Sequence, residues 1–276
     1  FILSLDLDSD GDLDLVVGSR SMPFAYGIPT GLQVWQNDGA GNFTDITTNF
    51  SSEFSQLGML TAGAVADLDG DGQFELIVAG EWMSIRVFSF SEGKLLEKTA
   101  DFGFADTRGL WNCLLVEDVN GDGFSDIVLV GNDYGNEVFI GRMDALVGLV
   151  LLGNGKGGFE VAEPRKSGFV VPGDAKALVK IFPAQGAPIF FTSQNRGKLL
   201  AFQGSSMEVK SVLPPRDAMA ILIEHENGKM QRFDLNYGSG FASQSSREVQ
   251  LPKSAKSVVM INYKGEMIPM DIFTRN

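Results

Sequence analysis

One cysteine and one histidine are all that the 276 residues offer of the side chains that make disulfides and act most often as general bases. A lone Cys113 cannot form an intrachain disulfide, and in "WNCLLVED" it reads as a small buried residue. Exported proteins can lack disulfides too, so this leaves the compartment open. His225 ends a predicted strand in "EHENG" and reads as a surface strand residue. It has no Ser-His-Asp arrangement, nucleophile elbow or Gly-rich phosphate loop to work with. No apolar run approaches the roughly 18 residues that span a bilayer. The opening "FILSLDLD" has neither a starting Met nor a basic n-region and already reads as strand. The chain is therefore expected to be a piece of something longer, its targeting signal and upstream units removed. Positive charge is also scarce: 22 basic against 35 acidic residues leave a net −13. That balance argues against nucleic acid or anionic membrane as partner and suits a binder of cations.

What is present is a repeat. "DLDSDGDLDLVVG" from Asp6, "DLDGDGQFELIVAG" from Asp67 and "DVNGDGFSDIVLVG" from Asp118 align without gaps. Each follows a short apolar run and leads into a second strand ending in Gly. Each unit then continues into another strand pair around a turn, in "LQVWQNDGAGNFTDIT", "IRVFSFSEGKLLEKT" and "GLVLLGNGKGGFEVA". Gly, Asn and Asp there supply the positive φ that hairpins need. A fourth copy, "ALVKIFPAQGAPIFFTS", keeps two strands and the loop Gly186. It puts Ile181, Pro183, Gln185 and Ile189 where the others carry oxygen donors. "KLLAFQGSSMEVKSV" is expected to supply its outer pair.

The prediction is all-β: β-propeller blades of four short strands, stacked because one blade cannot bury both faces alone. Units are expected at 1–48, 49–100 and 101–165, each with an acidic loop, with a degenerate blade at 166–214. Beyond Pro214 and Pro215 the texture changes. Residues 216–276 hold eight basic and seven acidic residues, so the preceding part carries the whole excess. Residues 215–276 read as a small β module of five or six strands docked on the last blade.

Like charges packed this closely need neutralising. Calcium, a hard cation, takes six to eight oxygens, and D-x-D-x-D-G-x-x-D can supply them. Positions 1, 3 and 5 turn inward. Position 6 is Gly for backbone freedom. Position 7 offers its carbonyl, and position 9 returns a carboxylate from the next strand. The first set is Asp6, Asp8, Asp10, the carbonyl of Asp12, and Asp14. The second is Asp67, Asp69, Asp71, the carbonyl of Gln73, and Glu75. The third is Asp118, Asn120, Asp122, the carbonyl of Phe124, and Asp126. These loops hold 12 of the 35 acidic residues, and three ions would reduce −13 to −7. An EF-hand needs a bidentate Glu at position 12, where Val17, Val78 and Leu129 stand instead. A catalytic carboxylate pair would have to explain three copies at one spacing. A solvated acidic hairpin with no ion is the plain alternative, strongest for the second loop with its longer Glu75. The fourth unit suggests that a blade survives without an ion, so calcium is expected as a clip on some blades and not as a reaction centre.

At these residues the chain resembles FG-GAP/VCBS repeats, the calcium-hairpin blades of integrin alpha chains and of many bacterial surface proteins. "YGSGFASQSSREVQLP...SVVMINYKGE" resembles the ASPIC/UnbV module, although "NYKGE" stands where members carry a "W-P-x-G"-like turn. Together the two parts resemble the bacterial cartilage-acidic-protein-like family. The resemblance implies a propeller of about seven blades, calcium binding, and export to the cell surface or the extracellular space. It implies binding or adhesion more than catalysis. The near-neutral charge of 216–276 gives no support for a phosphate-binding surface.

The function expected is thus a calcium-stabilised extracellular binding, adhesion or scaffold module for a protein or glycan ligand, not an enzyme. The alternative is an accessory or catalytic part of an enzyme acting on polysaccharide or phosphate esters. Contact residues are expected in the irregular stretches 19–31 and 132–144, which carry Arg20, Tyr26, Tyr134 and Arg142. Plugging a central channel or packing blade to blade is the other reading of those stretches. Open blade edges invite pairing with upstream blades of the same protein or another subunit of an assembly.

Overall fold

The computed structural model describes residues 1–8, 10–91, 94–183, 186–204, 209–238 and 243–275. Among them are 22 β-strands and three helices of at most five residues. Gln185 and residues 239–242, the centre of the "YGSGFASQ" motif, lie outside the described residues.

The first unit is an antiparallel meander: β1 (Ile2–Leu5), β2 (Asp14–Ser19), β3 (Gly31–Asn37) and β4 (Phe43–Asp45). The second repeats it with β5 (Met59–Ala66), β6 (Glu75–Ser84), β7 (Arg86–Ser91) and β8 (Lys94–Glu97). The third does so with β9 (Arg108–Glu117), β10 (Asp126–Gly131), β11 (Leu149–Gly153) and β12 (Phe159–Val161). The last residues of β6 also pair with the start of β9, joining units two and three into one eight-stranded sheet. That pairing slips between Glu81 and Met83, where Trp82 takes φ +61°. This is a β-bulge, which re-aims side chains.

The fourth unit departs from expectation. β13 (Ala175–Ile181), β14 (Ile189–Gln194) and β15 (Leu200–Gln203) form a three-stranded sheet. The strand expected to complete it, β16 (Val209–Val212), pairs instead with β19 (Val249–Gln250) and β22 (Phe273–Arg275). A separate four-stranded sheet runs β18-β17-β20-β21, from β17 (Ala218–His225), β18 (Met230–Asp234), β20 (Ala255–Asn262) and β21 (Met267–Met270).

Three cores explain why the units stack. Side chains alternate across a strand, so a sheet buried on both faces feeds two cores. Leu76 and Val78 of β6 pack with Val16, Leu32 and Val34 of the first unit. Their neighbours Ile77 and Ala79 pack with Trp111, Ile127 and Leu129 of the third. Val128 and Val130 of β10 then turn to Ala175, Leu178 and Phe190 of the fourth. The near-continuous apolar runs of β6 and β10 follow from this double burial, whereas β2 has only one face in a shared core. The C-terminal strands enclose a fourth core around Val212, Ile221, Val249 and Val258. Residues of β1, β5, β9 and β13 line one cavity of about 1340 Å³, and residues from 223 onward line it as well. Among the described residues, no helix is long and apolar enough to cross a membrane.

Candidate metal centre and contact face

The three acidic loops close in one register. Each begins directly after a unit's first strand and ends on the first residue of its second. Leu5 faces Asp14, Ala66 faces Glu75, and Glu117 faces Asp126. The position-6 glycines Gly11, Gly72 and Gly123 have φ of +100°, +87° and +94°. A side chain there would be strained.

Within each loop the carboxylates gather their own backbone. The amide of position 5 donates to position 3: Asp10 to Asp8 (3.3 Å), Asp71 to Asp69 (3.2 Å) and Asp122 to Asn120 (2.8 Å). The amide of position 7 donates to position 5: Asp12 to Asp10 (3.0 Å), Gln73 to Asp71 (2.7 Å) and Phe124 to Asp122 (2.9 Å). Position 9 is buried in every copy and accepts the amide of position 2: Leu7 to Asp14, Leu68 to Glu75 and Val119 to Asp126. The second oxygens of Asp14 and Asp126 accept the amides of Asn37 and Gly153. These carboxylates therefore tie the loop to the third strand of its unit as well as to the second.

Among the described residues, two clusters are compatible with a divalent cation. Asp6, Asp8 and Asp10 form one, and Asp67, Asp69 and Asp71 the other. Each brings carboxylate oxygens within 4.8 Å of one another. In the third loop Asp118, Asn120 and Asp122 occupy the same positions with one amide oxygen substituted, and the Asn120 amide nitrogen donates to Asp122 (2.9 Å). The donor set is all oxygen, which suits a hard ion. The first loop also has a gap in its hydrogen bonding: the Asp6 side chain is 3% exposed, yet its Oδ1 has no partner among the described residues. A buried carboxylate oxygen left without a donor is costly, and a cation would satisfy it. Of the carbonyl positions, Asp12 is half-buried, while Gln73 and Phe124 are exposed.

Burial dominates the protonation of these groups. It raises Asp14, Asp67 and Asp118, lifts Glu75 to about 8 and lifts Asp126 to about 7. Like charges in the same loop add to this, and the backbone amides oppose it.

Sequence reading missed how the C-terminal strands touch these loops. Arg232 donates to Asp6 Oδ2 (2.6 Å), and Gln231 donates to Asp67 Oδ2 (3.3 Å). Lys229 Nζ donates to the carbonyl of Asp71 (2.9 Å), and Gln250 to that of Asp118 (3.2 Å). Contacts spanning 132 to 226 residues have no local signal. His225, expected at the surface, is held between Ser254 (2.8 Å) and Gln231 (3.0 Å). Cys113 is buried as expected, its thiol pushed up to about 12 by burial.

The two irregular stretches meet at Arg20. Its guanidinium pairs with the buried Glu81 (2.5 Å) and approaches Asp133 (3.9 Å). Tyr26 donates to the other Glu81 oxygen (2.7 Å), and the Trp82 indole donates to the Tyr26 hydroxyl (3.2 Å). The bulge thus turns Glu81 inward to hold Arg20 and Tyr26 while Trp82 is thrown outward, 56% exposed. Phe24, at φ +62°, is fully exposed, as is Val138 on the second stretch beside a largely exposed Phe139. Tyr134 and Arg142 are engaged with each other, and Tyr134 also with the segment before β13. The guanidinium lies 5.0 Å from the ring centroid, and the Tyr134 hydroxyl donates to the carbonyl of Pro172 (2.9 Å). Asn132 anchors that stretch with hydrogen bonds to Ala145, Leu146 and Gly173. Glu81 and Trp82 were not legible as contact residues, because "ELIVAGEWMS" reads as one unbroken strand.

No curated protein matches the chain. Among solved structures it is similar to BBS1N in its complex with ARL6DN, at 11% identity over 99% of this chain and 81% of that one, TM-score 0.43. It is similar to the V. cholerae biofilm matrix protein Bap1, at 12% identity over 99% of this chain and 60% of that one, TM-score 0.34. It is also similar to the Pseudomonas aeruginosa periplasmic gluconolactonase PpgL, at 12% identity over 97% of this chain and 86% of that one, TM-score 0.35. The FG-GAP-like repeat family matches residues 6–78 and 67–129, so the three acidic loops lie in an FG-GAP-type repeat region.

Proposed function

We propose that the chain is a calcium-stabilised part of a β-propeller, displayed outside the cell, that binds a protein or glycan ligand and carries no reaction centre of its own. In this reading all three acidic loops hold Ca²⁺, the third with Asn120 as a neutral ligand. Each ion clips the first and second strands of a blade. Four blades, the fourth without an ion, belong to a ring completed by upstream blades or another subunit. The VCBS and ASPIC/UnbV resemblance and a bacterial, secreted or surface-attached origin belong to the same proposal. The observation that carries it is the repetition: three oxygen-rich loops with one register, one glycine geometry and one buried position-9 carboxylate. The contact face is the Trp82–Tyr26–Arg20 cluster with the exposed tips of the two irregular stretches. Its Trp, Tyr and Arg content matches what dominates binding interfaces. Glu81 holds it rigid, which reduces the entropy lost on binding.

The test is a panel of immobilised glycans and extracellular proteins, probed with the chain in calcium. A ligand bound through this face loses at least tenfold in affinity with Trp82→Ala and with Tyr26→Ala. A ligand bound equally well by both variants assigns recognition elsewhere.

A further inference from the structure

The C-terminal strands lie across the loop end of the repeat region, and their contacts fall on all three acidic loops. Arg232 reaches Asp6, Gln231 and Lys229 reach Asp67 and Asp71, and Gln250 reaches Asp118. Lys253 packs along the third loop: a Cβ placed on Gly123 would lie 3.5 Å from its Cγ. Where the fourth unit lacks an acidic loop, the contact changes kind. There the Lys180 amide donates to Ser245 Oγ (3.1 Å) and the Ser246 amide to the Lys180 carbonyl (2.7 Å).

We propose that the C-terminal module is a latch held by the three acidic loops, so that cation binding in the loops and docking of the module are linked. This rests on the cation reading above. Asp6 shows how both can hold at once: Oδ2 is taken by Arg232, and the buried Oδ1 is left to an ion. A carboxylate so shared is oriented for the metal by its second partner.

The charges leave room for both partners. One divalent ion in the first loop leaves five carboxylates at a net −3, so the guanidinium still faces negative charge. Three ions leave the twelve loop carboxylates at −6, and the module brings Lys229, Arg232 and Lys253 to that rim. Without ions the loop carboxylates repel one another. The donors at Asp6, Asp67, Asp71 and Asp118 then lose their fixed partners.

The experiment is hydrogen exchange of the full chain, in calcium and in EGTA, with calcium stoichiometry measured in parallel by calorimetry. Calcium is expected to slow exchange at residues 229–236 and 248–254 by at least tenfold. Arg232→Ala and the milder Gln250→Ala are each expected to reduce that slowing at least threefold. If calcium binds and exchange at these residues does not respond, the latch is wrong and the cation reading stands. If calcium binds and both variants keep the full wild-type response, the contacts named here do not form the latch. If calcium does not bind, both readings fall together.

Discussion

If the three loops hold calcium as proposed, chelation with EGTA is expected to lower the unfolding temperature of this chain by roughly 15–30 °C relative to calcium at about a hundred times its Kd. Each filled site adds about 2.7 kcal/mol under that condition. Three sites add about 8 kcal/mol, and a domain of this size shifts by roughly 2–4 °C per kcal/mol. The shift also depends on pH. Glu75, lifted to about 8, and Asp126, lifted to about 7, bind protons more tightly folded than unfolded. Their protonation stabilises the ion-free fold fully below the unfolded carboxylate range, and that stability is lost as pH rises through the folded values. The chelated chain is therefore more stable at pH 5.5 than at pH 8. Calcium competes with those protons, so the gap between loaded and chelated chain widens from pH 5.5 to pH 8. Scanning calorimetry at both pH values checks this. A melting temperature indifferent to EGTA would show that the loops are ordinary solvated hairpins.

Replacing Asp126 by Ala costs about 3–5 kcal/mol. The residue is fully buried and accepts the amides of Val119 (2.9 Å) and Gly153 (2.8 Å). Truncation strands both donors, each at about 1–3 kcal/mol, and removes the proposed position-9 ligand. Asp126→Asn separates the two roles. In EGTA at pH 8 it is expected to cost less than Ala, because it removes a buried charge and its amide oxygen still accepts one of the two backbone amides, while its NH2 leaves the other without an acceptor. In calcium it destabilises, because it weakens the ion. Urea midpoints for the three proteins, with and without calcium, make the comparison. An Ala variant within 1 kcal/mol of wild type would show that Asp126 does not hold its loop to the third strand of the unit.

The loops were readable because everything they need is local. Spacing sets which side chains turn inward, and Gly11, Gly72 and Gly123 mark one backbone geometry three times. The stacking of units was readable for a related reason: "ELIVAG" and "DIVLVG" are apolar on both faces only if both faces are covered. Partner choice was not readable. The strand Val209–Val212 has the same alternation whether it completes the fourth sheet or joins β19 and β22, as it does. A strand pattern specifies a face and not a neighbour. The bulge at Trp82 was equally hidden, since nothing in Glu81-Trp82-Met83 announces a positive φ. Arg232 looked like an ordinary basic residue of a near-neutral segment. Its role comes from Asp6, 226 positions away.

Crystals grown in calcium and measured for anomalous scattering test the central idea most directly. A peak is expected enclosed by Asp6, Asp8, Asp10 and Asp14, a second by Asp67, Asp69, Asp71 and Glu75, and a third by Asp118, Asn120, Asp122 and Asp126. Loops without a peak at saturating calcium, their carboxylates bonded only to backbone amides and water, would contradict it.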